Sequence, residues 1–224
     1  MDWFPLLNSL RVALLSTAIV FFPGLFAAYR VMRMPPSPAK TAWDAALTLP
    51  LVLPPPVVGW LVLRLLGPQH MLGYWARQIF GVRLVMTWPA ASLAAGIVSF
   101  PLMYRAARAA FENFDHNLTD AARTLGRSEA WIFWNAQIPA CKEGVIAAAV
   151  LAFARAFGEH GASVMAAGYT PGRTAAVGAT VYQLWSQGDD AGAGAWAALS
   201  AVLSGVCLLA VSAAEQRQRG GAKP

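Results

Sequence analysis

NLTDAARTLGRSEAWIFWNAQIPA, residues 117–140, is the stretch on which the reading of this chain turns. Asn117 is of a type that caps helices, and Asp120 stands three residues on in the capping-box position, though Asp reaches back less well than Glu. Leu118, Ala121, Ala122 and Leu125 follow at i, i+3, i+4 and i+7, so they share one helical face. Gly126 supplies a stop, and Ser128 can cap a second short helix on which Trp131, Trp134 and Ile138 share a face. Pro139 is expected to end that second helix. Residues 115–140 are therefore expected to form two short amphipathic helices joined at a glycine. By periodicity alone, a pair resting on a bilayer surface is as good a reading as a pair that docks on a partner.

Working outward, apolar stretches flank this segment at residues 84–107 and 144–168, and three more lie at 7–31, 45–66 and 193–214. Each has roughly the 20 mostly apolar residues that cross a hydrocarbon core. The composition agrees: 57% of the 224 residues are hydrophobic and 12% charged, about half the charged fraction of soluble domains. The expected fold is thus an all-α integral membrane protein of five spans. The second span contains LTLPLVLPPPVVGW (residues 47–60), whose four prolines rule out a regular helix and predict a broken or strongly bent span. In the first span Arg11 can snorkel to the interface, and Pro23-Gly24 permits a kink. Residues 67–83 read as a loop whose Tyr74, Trp75 and Phe80 suit the membrane interface. Gly188-Asp189-Asp190 and the glycines after them read as a polar turn and helix entry before the last span.

The basic residues sit between the apolar stretches, where they report topology. With the N-terminus outside, the inner segments hold eleven Lys and Arg residues, and the outer ones hold only Arg77, Arg83 and Arg173. The positive-inside rule therefore predicts an outer N-terminus, a cytoplasmic 115–140 segment and a cytoplasmic 215–224 tail. Cys141 and Cys207 fall in a loop and a span, respectively, so no disulfide is expected, and their spacing does not suit a metal site.

Residues 120–140, DAARTLGRSEAWIFWNAQIPA, resemble the EAA motif of type I ABC importer permeases through Asp120, Ala121, Ala122, Gly126, Ile138 and Pro139. Asp120 stands where Glu is usual, and Cys141-Lys142-Glu143 is more polar than the family's run there. The likeness extends over residues 7–214, the expected permease domain. LTLPLVLPPPVVGW (47–60), IVSFPLMYRAARAAFENFD (97–115) and LAFARAFGEHGASVMAAG (151–168) with the following TPGRT are similar to the molybdate-transporter branch. The resemblance implies that residues 115–140 form coupling helices docking on a cytoplasmic ATPase dimer, that two copies of the chain pair, and that a separate periplasmic protein binds the oxyanion. ATP and Mg would belong to the ATPase partner, with no cofactor in this chain. Tungstate or sulfate would be alternative substrates.

Arg155 and Glu159, at i and i+4 within the fourth span, are opposite charges able to pair on one face. They read either as an ion pair locking helix packing, the simpler role, or as part of a translocation route. His160 reads as a packing or interfacial residue, Gly158 and Gly161 suit close helix packing, and the outer arginines read mainly as solvated. No P-loop, H-E-x-x-H or nucleophile elbow occurs, so no enzymatic activity of its own is expected. The competing class, a stand-alone secondary carrier, predicts more intramembrane acids and an internal repeat, and gives the amphipathic pair no task.

Overall fold

The computed structural model describes residues 2–220 of the chain, and among them the ordered elements are helical. The first span is α1 (Phe4–Met32), followed by a short turn through Pro35 and Pro36. The second apolar stretch is two helices, α2 (Pro38–Val52) and α3 (Pro55–Leu66), bent by 103° against each other. The cause is local. Leu53 and Pro54 each precede a proline and take extended backbone (ψ 137 and 130), and the helix restarts with Pro55, where a missing N–H costs nothing. α2 begins at Ser37, whose side chain accepts from Lys40 N, so part of the expected linker is already helix.

The expected loop 67–83 is corrected by the structure: α4 (Met71–Phe80) occupies most of it and ends at Gly81, left-handed at φ 65. Its aromatics remain exposed, Phe80 by 75%. The third span, α5 (Trp88–Glu112), starts four residues later than residue 84, with Pro89 in its first turn. Residues 115–140, the expected coupling segment, form α6 (His116–Thr124), α7 (Glu129–Ile132) and α8 (Ile138–Ala140), and the fourth apolar stretch follows. That stretch is also broken: α9 (Lys142–Phe157) and α10 (Gly161–Ala167) meet at 62°. No proline announces this bend, and residues 144–168 had been expected as one helix. A further helix not anticipated, α11 (Val177–Ser186), precedes α12 (Asp190–Gly220). α12 runs on through residues expected as tail; residues 221–224, with Lys223, lie outside the described part. Among the described residues three helices are long and apolar enough to cross a membrane, and the count is five when each bent pair is taken as one span.

α5 is the spine. α1 lies along one side of it through small residues, with Ala13, Ala28, Ala94, Ala95 and Ala107 fully buried. A Cβ on Gly24 would stand 2.6 Å from Met103 Cγ, so α1 and α5 meet there at the distance only glycine allows. The Ser16 hydroxyl donates to Ser92 O across this contact at 2.7 Å. Tyr104, Phe111 and Met103 of α5 fill the core toward α9, and Cys141 packs beside them as a free, buried thiol.

The two broken spans pack break upon break. Gly161, at the start of α10, faces Pro55 and Pro56 at the start of α3, and a Cβ there would lie 3.2 Å from Pro56 Cδ. Gly59 faces α10 more closely still: a Cβ would come 2.6 Å from both Ala162 O and Met165 Cβ. Gly59→Val should therefore destabilise the fold by about 1–3 kcal/mol through overpacking. Gly205→Ala on α12, where a Cβ meets nothing within 4 Å, should be neutral or stabilising by up to about 1 kcal/mol. Thermal unfolding of the purified protein in detergent compares the two.

Candidate functional site

Residues 115–140, the candidate coupling segment, are built from their caps inward. Asp115, rather than Asn117, caps α6: its side chain accepts from Asn117 N at 2.9 Å. Asn117 is thereby the second residue of the helix, and Asp120 is free for another role. At the other end Gly126 adopts φ 72, with Arg127 N donating to Ala122 O, so the turn sits where an L side chain would be strained. Ser128 then caps α7, accepting from Trp131 N at 3.2 Å.

Pro139 does not end this element as expected. A proline removes one N–H, which would leave Asn135 C=O without its usual partner. The chain widens into a π-helical turn over Phe133–Gln137, with Ile138 N donating to Phe133 O, and continues through α8. Cys141 N donates to Gln137 O and Val145 N to Cys141 O, each at 2.9 Å, which carries the helix path into α9. Cys141 is the single turn residue, at φ −95 and ψ 10, that joins α8 to α9.

The segment turns one side inward and leaves the other open. Ile132 and Gln137 are buried, and Phe133 packs on Tyr29 with ring centroids 4.6 Å apart. Leu125 is 78% exposed, Leu118 53% and Trp134 54%. Ala121, Gly126 and Pro139 are also exposed, Ala122 and Ile138 half-buried. The apolar face of α6 read from the sequence is therefore unpartnered within this chain.

An ion network holds the segment in place. Arg123 bonds Asp120 at 2.9 Å and Glu129 at 2.7 Å, and Glu129 bonds Arg33 of α1 at 2.7 Å. The hydrogen bond from Arg123, with Arg33 nearby, holds the Glu129 carboxyl below its ordinary range; the same bond favours the charged form of Arg123. Sequence reading missed Glu129 and Arg33 because neither shares a helical repeat with Asp120; the one available signal was an acid directly after a capping serine.

A second polar site lies at the α9–α10 break. Arg155 and Glu159 do pair, at 2.8 Å, with the Glu159 side chain only 2% exposed. Glu159 stands beyond the end of α9, in the break, and its other carboxylate oxygen accepts from Ala162 N at 2.8 Å, capping α10. Both carboxylate oxygens are thereby engaged. Beside it, Asn8 Oδ1, His160 Nδ1 and Ser163 Oγ are buried without a protein hydrogen bond, and all three residues line one small cavity with Glu159 and Thr174. Asn8 also donates through Nδ2 to Ala175 O, and Ser9 accepts from Val177 N, tying α1 to the segment before α11. Arg77, Arg83 and Arg173 are exposed and take no part in this cavity. Among the described residues no cluster of His, Cys, Asp and Glu could hold a metal ion.

Residues 19–218 match the family described as binding-protein-dependent transport system inner membrane component. The molybdenum transport system permease protein ModB of Escherichia coli (strain K12) is 38% identical over 209 residues, 93% of this chain and 91% of its own. The putative molybdenum transport system permease protein YvgM of Bacillus subtilis (strain 168) is 33% identical over 200 residues, 89% and 88% of the two chains. Among solved structures, an inward-facing conformation of the MetNI methionine ABC transporter superposes with a TM-score of 0.72, covering all of this chain and 98% of its own at 17% identity. At that identity the likeness is one of fold.

Glu129→Ala removes both the Arg123 and Arg33 arms and should speed amide exchange across residues 116–132 while leaving global stability nearly unchanged, as exposed bridges contribute little. Because the Glu129 carboxyl is held low, its contribution is full above the ordinary carboxylate pKa and lost as pH falls through the depressed value. The wild-type protein should thus approach the variant's exchange pattern only on strong acidification, as hydrogen–deuterium exchange across pH would register.

Proposed function

The chain belongs to the binding-protein-dependent transport system inner membrane components, and from that premise we propose that it is the permease of an importer for an oxyanion, molybdate. Its two molybdenum-transport relatives support the substrate, since each matches nearly the whole chain. We further propose that two copies pair, that an ATPase dimer binds below, and that a separate binding protein delivers the anion from outside. ATP and Mg act in the ATPase, and this chain contributes movement rather than chemistry. Residues 7–214 form the permease domain, with the N-terminus outside and the tail inside.

One observation carries the docking part of this reading: α6 presents Leu118, Ala121 and Leu125 to the exterior, although they share the face that a helix normally buries. Asp120, Ala121, Ala122, Gly126, Ile138 and Pro139 are the proposed coupling residues. The small ones allow close approach of a partner surface, and Asp120 anchors the segment through Arg123 rather than touching the partner. A stand-alone carrier leaves this face without a task.

Within the membrane we assign Arg155 and Glu159 the structural role, because every oxygen of Glu159 is occupied. We propose that the polar lining of the pathway falls instead to His160 and Ser163, whose buried Nδ1 and Oγ lack protein partners, while the donor of Asn8 is taken by Ala175 O. A hydroxyl and an imidazole N–H can donate to an oxyanion that passes without tight binding.

Proteoliposomes holding this chain with its ATPase and binding protein test the assignment. Molybdate-loaded binding protein should stimulate ATP hydrolysis more than tungstate or sulfate does, and a stronger response to either rival replaces the substrate. Gly126→Arg, at a left-handed and exposed position, should reduce uptake at least tenfold while insertion into the membrane persists. Normal ATP-driven uptake by that variant would refute docking at this turn.

A further inference from the structure

Alongside the coupling network lies a groove of about 660 Å³ between the C-terminal end of α1 and residues 129–134 of the coupling segment. Its walls are apolar and aromatic, with Phe22, Phe26, Phe133 and Trp134 prominent, and Phe22 and Phe26 are 63% and 59% exposed. Its rim is cationic. Arg33 is engaged with Glu129, but Arg30 forms no ion pair among the described residues; its guanidinium lies over the Phe26 ring at 4.7 Å. An arginine folded back on an aromatic ring at the end of a membrane span sits where lipid headgroups begin, with its fork free for an anion.

We propose that this groove binds an anionic phospholipid, one acyl chain lying against Phe22, Phe26 and Trp134 and the headgroup phosphate meeting Arg30. The proposal rests on the membrane placement of α1 and not on the substrate or the ATPase. Charge complementarity chooses the occupant. An apolar slot alone accepts any lipid chain, whereas a cation at its mouth with no protein anion selects a negative headgroup. Arg30 and Arg33 stand at i and i+3, so the bound phosphate lies beside the Arg33–Glu129 bridge that fastens the coupling segment to α1. The lipid is thereby placed to adjust how firmly that segment is held.

Native mass spectrometry of the full chain, taken from an equal mixture of phosphatidylglycerol and phosphatidylcholine, reads the site without needing transport. Wild type should retain phosphatidylglycerol over phosphatidylcholine by about fivefold. Arg30→Gln should bring that ratio near unity, and Arg64→Gln on α3, a basic residue outside the groove, should leave it unchanged. Equal retention by wild type, an undiminished ratio in Arg30→Gln, or an equal loss in Arg64→Gln each overturns the proposal. So does efficient disulfide formation between two copies through Phe22→Cys, which would put a second copy in the groove. If the retention pattern holds while molybdate fails to stimulate the assembled transporter, only the substrate assignment falls.

Discussion

A hydrocarbon core supplies no water, so every backbone group freed by a break in a span must be satisfied by protein. This chain breaks two spans, packs one break against the other, and satisfies a freed N–H of the second break with a buried carboxylate. Pro55 and Pro56 lie against Gly161, and Gly59 lies against the backbone of α10. Glu159 takes the α10 N-terminus, accepting from Ala162 N, and is in turn neutralised by Arg155. The cost of burying an acid at this depth is met because its charge, its hydrogen bonds and its position all serve the same break. The rest of the bundle, with α5 as spine and α1 along it, holds these two bent pairs in register.

The coupling segment obeys a different economy. Its second half is seated on the core through Ile132 and Phe133, whereas α6 is held by ion pairs among exposed side chains, and such pairs hold lightly. Asp120, Arg123, Glu129 and Arg33 form a chain of contacts that sets orientation without locking it. For the docking proposed above, α6 held this way can shift with a partner more readily than it could if sealed by a buried apolar seam. The unburied leucines of α6 belong to the same logic, since they contribute nothing to the isolated chain.

The five apolar stretches and the fractured second span were legible because hydropathy and proline act within a few residues. The fracture of the fourth span was not, since Gly158-Glu159-His160 contains no proline and the glycines on either side also read as ordinary packing positions. α4 and α11 escaped notice for another reason: each has only ten residues and lies between spans, where aromatics such as Trp75 read equally well as interface anchors. In the coupling segment the glycine turn and the Ser128 cap were correctly placed, whereas the first cap shifted from Asn117 to Asp115. The Arg155–Glu159 pair followed from helical spacing and survived the break because the chain still turns there, with Glu159 N donating to Ala156 O. Arg33 and Glu129 lie on distant parts of the chain, and no local rule joins them.

The widened turn at Phe133–Gln137 has a mechanical meaning. Had Pro139 ended the helix, the coupling segment would hang from a loose joint, and displacement at its tip would dissipate there. Instead the helix widens, carries on through α8, and after the single turn residue Cys141 resumes as α9, a rod of 16 residues and so about 24 Å. Under the docking proposed above, a push on the segment would pass through this turn to α9, whose far end gives way at Phe157 to the Glu159 break. The π turn then sits at one end of a stiff rod, and the polar cavity lies at the other.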